Sequence, residues 1–177
     1  MERQIHGFIY EDKVCKNFNL IANQSYISEY DATTVSGTPI QIKCIKNKSE
    51  ICLGDYFRNK KKSKDFYFII GFWENSKTNI VKEDVLYIPY KEWNDMFVFE
   101  NDDDITTLLK EISNNYSDDL IWKTRCKKIK QSWNGCDRII QLRFKRDHKK
   151  QKRIQVAIPY KKYEKWKTKF IQKGITP

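Results

Sequence analysis

The sequence predicts an α/β fold, a mixed central sheet flanked by helices, joined to a basic α+β carboxyl-terminal region that contains a β-hairpin. Three observations predict it. Residues 65–73, Asp-Phe-Tyr-Phe-Ile-Ile-Gly-Phe-Trp, are apolar on both faces, as a strand is when both sides of its sheet are covered. Residues 5–20 put Gly7, Glu11, Val14, Cys15 and Phe18 on one face at helical spacing. Residues 137–145 and 152–158 alternate strictly, so Ile140, Leu142 and Phe144 meet Ile154, Val156 and Ile158 as one apolar face.

The elements follow in order. After the helix over 5–20 comes a strand over 26–32, with Ile27, Glu29 and Asp31 on one side. Ser36-Gly37-Thr38-Pro39 is a turn. A strand over 40–46 points Ile40, Ile42 and Cys44 one way and Gln41, Lys43 and Ile45 the other. Residues 50–59 read as a helix interrupted by Gly54, 65–73 as the central strand, 85–89 as a further strand and 90–98 as a short helix. The rest of 74–118 stays unassigned, a dimer interface or a second ligand-contacting lobe. Trp122, Cys126, Ile129 and Trp133 make a helical stripe. The hairpin turns at Arg146-Asp147-His148-Lys149-Lys150. A final helix over 160–172 has Tyr163, Trp166 and Phe170 inward and Lys161, Lys162, Lys165, Lys167 and Lys169 mostly outward. The acidic run Asn101-Asp102-Asp103-Asp104 is the best boundary, dividing 1–100 from 101–177 either as two units or within one compact domain.

Charge separates these two parts. The net charge is +11, yet residues 1–118 carry 15 Lys/Arg against 19 Asp/Glu, and residues 119–177 carry 19 against 4. Carboxylate chemistry belongs with the first part and capture of a polyanion with the second. A hydrophobic content of 40% rules out a disordered tail. No apolar run is long enough to span a bilayer, and Met1-Glu2-Arg3-Gln4 opens no signal segment, so an intracellular protein is expected. Five cysteines without a CxxC pair read as reduced thiols, and His6 and His148 are too far apart in sequence for a histidine metal cluster.

One constellation carries chemistry. Glu29 and Asp31, two apart on a strand, send both carboxylates to one side, and Gln41 and Lys43 share a face of the next strand. If the strands pair, two acids, an amide and an amine converge. Mg²⁺ prefers oxygen ligands: Asp31 is the first, and the Gln41 side chain or the Ile42 main-chain carbonyl supplies another. Lys43 can position the attacking water and stabilise charge in the transition state. Glu11 sits on the apolar face of the first helix, where a carboxylate needs either a metal or a salt bridge, to Lys43 itself or another core lysine.

The order of helix with Glu11, strand ending at Asp31, strand with Gln41-Ile42-Lys43, helix and apolar strand resembles the restriction-endonuclease-like PD-(D/E)XK nuclease superfamily over about residues 5–75. The resemblance implies Mg²⁺ (with Mn²⁺ as a substitute) bound by Asp31, and Lys43 assisting the water. The chain departs from the pattern twice. Tyr30 stands where the family has Pro, and Gln41 stands where it has an acid, a Q-x-K variant similar to the Mrr-like branch. Glu29 or Glu11 then compensates as second ligand, or one metal serves. The implied activity is hydrolysis of double-stranded DNA by a sequence-specific, type II restriction-like homodimer. A homing or junction-resolving endonuclease is the near alternative, a non-catalytic DNA-binding protein on the same scaffold a second, and a basic RNA-binding or ribosome-associated protein a third.

Nucleic-acid contacts are expected from two clusters. Arg58, Lys60, Lys61, Lys62 and Lys64 either grip phosphates or form a solvated loop. The hairpin offers Gln141, Arg143, Lys145, Arg153 and Gln155 on one polar face, as a two-stranded ribbon in the major groove would, with Lys149, Lys150 and Lys152 at the backbone.

Overall fold

A five-stranded mixed sheet carries the fold. In the computed structural model, which describes residues 2–23, 28–97, 119–134, 138–146 and 152–170, its strands are β1 (Ile21–Ala22), β2 (Ala32–Thr33), β3 (Pro39–Lys46), β5 (Phe66–Trp73) and β6 (Ile80–Ile88). They lie in the order β1-β2-β3-β5-β6, and among the described residues only the β3–β5 pair is parallel. A second sheet has the order β4-β8-β7, from β4 (Ile51–Asp55), β7 (Gln141–Arg146) and β8 (Lys152–Ile158). The helices are α1 (Glu2–Asn17), α2 (Tyr56–Lys60), α3 (Tyr90–Asp95), α4 (Asp119–Asn134) and α5 (Tyr160–Lys167). Among the described residues no helix is long and apolar enough to cross a membrane.

The parallel pair needs a crossover, and β4 with α2 supplies it. β5 is buried on both faces, as its composition requires. Phe66, Phe68, Ile70 and Phe72 enter the larger core, with Trp93, Trp133, the apolar face of the hairpin, Tyr163 and Trp166. Tyr67 and Ile69 face the smaller core beneath α1, with Tyr10, Val14, Ile40 and Ile42. The hairpin pairs Leu142 with Val156 and Phe144 with Ile154, the register its alternation gives. Residues on both sides of position 100 share the larger core.

Two readings of the sequence are corrected. Residues 50–59 begin as a strand: Ile51 and Leu53 are buried with Cys52 turned away, a period of two. The ladder shifts register between Cys52 and Gly54, and Gly54 has φ +94°, so the glycine marks a bulge and not a helix break. Helix begins only at Tyr56, capped by Asp55, whose Oδ1 accepts from the Arg58 N–H at 2.8 Å. The strand expected over 26–32 is the short β2, which starts after Asp31; residues 29–31 are a bend, and 24–27 lie outside the described residues.

Two contacts set the helices on the sheet. Gly71 of β5 leaves room for Tyr10 of α1, since a Cβ there would fall 2.4 Å from the ring. The Tyr10 hydroxyl donates to Glu83 on β6 at 2.6 Å. Gly71→Ala is expected to push α1 off the sheet and cost about 1–3 kcal/mol, read as a lower midpoint of urea unfolding. On the other face Asp84, 2% exposed, accepts from Tyr163 at 2.8 Å and Lys167 at 3.0 Å, fastening α5 to β6.

Candidate active site

Asp31 occupies the place where a sheet ladder stops. β2 pairs with β3 at Ala32–Ile40 and Thr33–Pro39, and the Asp31 N–H extends the pairing to the Ile40 carbonyl at 2.9 Å. The chain then bends away, and the Asp31 side chain takes the next position: its Oδ2 accepts from the Ile42 N–H at 2.7 Å. In an extended residue the N–H and C=O leave on one strand edge, so the Ile42 carbonyl opens toward the same space. Gln41 Nε2 also donates to Oδ2, and the Lys43 ammonium stands 3.6 Å from it.

Glu29 reaches the site by a different route from the one its spacing suggests. It lies in the bend, not on a strand, yet it lines a cavity of about 160 Å³ with Asp31, Gln41, Lys43 and Arg58. Its Oε1 is buried without a hydrogen-bond partner. Gly54, at the bulge, leaves one wall of that cavity without a side chain.

Lys62 is a correction. Expected among exposed phosphate-gripping lysines, it is 2% exposed and lies behind Gln41 and the Glu29 backbone. Its Nζ donates to the Glu29 carbonyl at 3.0 Å and to Gln41 Oε1 at 3.1 Å, and lies 3.8 Å from the Tyr30 ring centroid. Asn59 bonds the Leu53 and Asp55 carbonyls, and Asn94 of α3 bonds the Lys62 carbonyl, so the segment is pinned between β4 and α3. Burial pulls the Lys62 amine down to about 7, against the upward pull of Glu29 and Asp31. Tyr30 therefore serves as an aromatic face for the Lys62 amine. Nothing in the run Lys60–Lys62 distinguishes the buried lysine from its neighbours.

Glu11 approaches from α1. Burial first, and the Asp31 carboxylate second, raise its carboxyl to about 7, while Lys43 opposes the rise. Lys43 makes its ion pair with Asp31 and acts on Glu11 as a nearby favourable charge.

The donors suit a hard divalent cation in part. Among the described residues no three His, Cys, Asp or Glu side chains gather closely enough to hold a metal. Asp31 and Glu29 do line one cavity, the Ile42 carbonyl leaves β3 on the edge where Asp31 caps the ladder, and Mg²⁺ takes one or two carboxylates with water and substrate phosphates completing its shell. Gln41 does not offer its oxygen there. Lys62 has donors only, so it holds Oε1 and leaves the amide N–H facing Asp31.

The expected nucleic-acid contacts divide. Lys61 is exposed and Lys60 half-buried at the end of α2. The hairpin is not a free ribbon, because β4 pairs along the other edge of β8 and makes the sheet three strands wide. Arg143 is ion-paired with Glu50, and Gln155 accepts from the Cys52 thiol at 3.9 Å. Lys145 and Arg153 face each other at the exposed end of the ladder, and Gln141 lies opposite Ala157. Lys149, Lys150 and the Lys152 side chain lie outside the described residues.

Comparison with known proteins found no matching family model, no matching curated protein and no matching solved structure.

Proposed function

We propose that this chain is a Mg²⁺-dependent deoxyribonuclease with a restriction-endonuclease-like core, the Q-x-K form of the PD-(D/E)XK superfamily. The observation that carries the reading is the convergence on Asp31 of the Ile42 N–H, the Gln41 amide and the Lys43 ammonium at the open edge of β3. The order of elements supports it: helix, antiparallel meander, crossover and a parallel return strand.

In this reading Asp31, Glu29 and the Ile42 carbonyl hold the cation. Bound there, Mg²⁺ supplies Lewis-acid charge to a phosphate oxygen. Lys43 orients the attacking water and offsets the negative charge that grows on the phosphoryl oxygens. Lys62 and Gln41 fix the Asp31 carboxylate from behind. Duplex cleavage by one such site per chain calls for a symmetric dimer. A sequence-specific, type II-like enzyme fits best, with a homing or junction-resolving endonuclease as the near variant.

A specific observation favours a second reading, a DNA-binding protein on a nuclease-like scaffold: Gln41 turns its N–H, not its oxygen, toward Asp31. Incubating mixed-sequence plasmid with Mg²⁺, with EDTA and with the Lys43→Ala variant decides between them. Discrete Mg²⁺-dependent fragments, lost at least about a hundredfold in the variant, are expected of the nuclease. Tight duplex binding with no cleavage under any divalent cation establishes the scaffold instead.

A further inference from the structure

A trough separate from the candidate site lies between α3, α5 and the segment that leads into β7. One part, about 310 Å³, is walled by Arg138, Lys161, Lys162, Lys165 and Lys169 over a floor of Ile139 and Trp166. A second part, about 350 Å³, shares Arg138, Lys169 and that floor but ends at Glu92, Asp95 and Met96. Cations thus line one end, carboxylates the other, with apolar surface between.

The lysines are arranged by the helix. Lys161, Lys165 and Lys169 recur every four residues along α5 and just past its end, all exposed, while Trp166 is buried toward the core. Lys162 is committed differently, donating to the Arg138 carbonyl at 2.6 Å and so fixing that wall. Like charges crowded on one rim repel one another, and an anion relieves the repulsion.

We propose that the trough seats one unpaired nucleotide of a nucleic-acid strand. Its phosphate and the two flanking phosphates of the strand lie along Lys161, Lys165 and Lys169, its base against Ile139 and the edge of Trp166, and an exocyclic amino group faces Glu92 and Asp95. Each part of the ligand answers one part of the wall: phosphate to ammonium, ring to apolar floor, amino donor to carboxylate. A concave site of this size takes a single protruding unit and not the rigid surface of a duplex. Helix α3 stands between the two sites. Its Asn94 bonds the Lys62 carbonyl behind the candidate active site, and its Glu92 and Asp95 end the trough.

This rests on the nucleic-acid reading, and its test separates the two. Fluorescence anisotropy of labelled oligo-dC and oligo-dT is measured with the full chain and with K161E/K165E/K169E, at several salt concentrations, beside plasmid cleavage by the unaltered chain. The triple variant is expected to bind oligo-dC at least about tenfold more weakly, with a log–log salt slope shallower by about 2. K161Q/K165Q/K169Q, checked for fold by circular dichroism, is expected to lose less in the same direction. Glu92→Gln with Asp95→Asn is expected to erase the preference for dC over dT, since thymine lacks the amino group. Equal binding by the triple variants, no strand binding by the unaltered chain, or preference for a polyglutamate peptide overturns the proposal. Cleavage without trough-dependent binding leaves the nuclease reading standing; trough-dependent binding without cleavage overturns the nuclease reading and leaves the trough.

Discussion

Asp31→Ala is expected to abolish Mg²⁺-dependent cleavage, by about a thousandfold or more, while duplex binding stays the same or tightens. Four groups depend on this carboxylate: the Ile42 N–H, Gln41, Lys43 and, through its field, Glu11. Removing it takes away both a cation ligand and a negative charge that repels phosphate, so catalysis and affinity move in opposite directions. Single-turnover rates and a binding isotherm in Ca²⁺ check this. A parallel loss of both would mean that Asp31 holds the fold together and takes no part in chemistry. Calorimetric titration with Mn²⁺ adds a reading free of turnover, with heat of binding in the parent chain and none in the variant.

The second large effect is on stability against pH. Glu11 has its carboxyl raised from 4.5 to about 7, so the folded chain holds a proton that the unfolded chain gives up, and stability falls as pH rises between those values. Lys62 has its amine lowered from 10.5 to about 7, so the unfolded chain holds the extra proton, and stability climbs as pH rises from about 7 toward 10.5. The two windows meet near neutrality and place a minimum there, with the acid arm weakened by solvent screening around the partly exposed Glu11. Urea unfolding from pH 5 to 10 traces it. Glu11→Gln is expected to flatten the acid arm and Lys62→Met the alkaline arm. An alkaline arm that survives Lys62→Met assigns the slope to another group.

Much of this was legible in the sequence because it is written in period two. The hairpin register and the double burial of β5 follow from alternation and composition, and the Gln41/Lys43 face follows from strand geometry. What escaped was set by tertiary contacts. β4 hid because five residues with a glycine at a bulge carry too little pattern to compete with the helix signal beside them. Glu29 was expected at the site from strand spacing but arrives there by a bend. Lys62 could not be singled out, because inward and outward lysines in one basic run look alike until Asn59 and Asn94 pin the backbone. The third strand beside the hairpin was missed for the same reason, because β4 was not recognised as a strand.

That displaced strand also governs how the protein is made. β4 finds its hydrogen-bonding partner, β8, roughly a hundred residues further along the chain, with Ile51 opposite Ile158. During synthesis the crossover that links the two parallel strands therefore emerges with one edge unsatisfied and Ile51 and Leu53 uncovered until the hairpin follows. Folding of the sheet that bears the candidate site is thus coupled to late-arriving chain. Slow, long-range closure and transient stickiness at β4 are the expected kinetic signature of this topology.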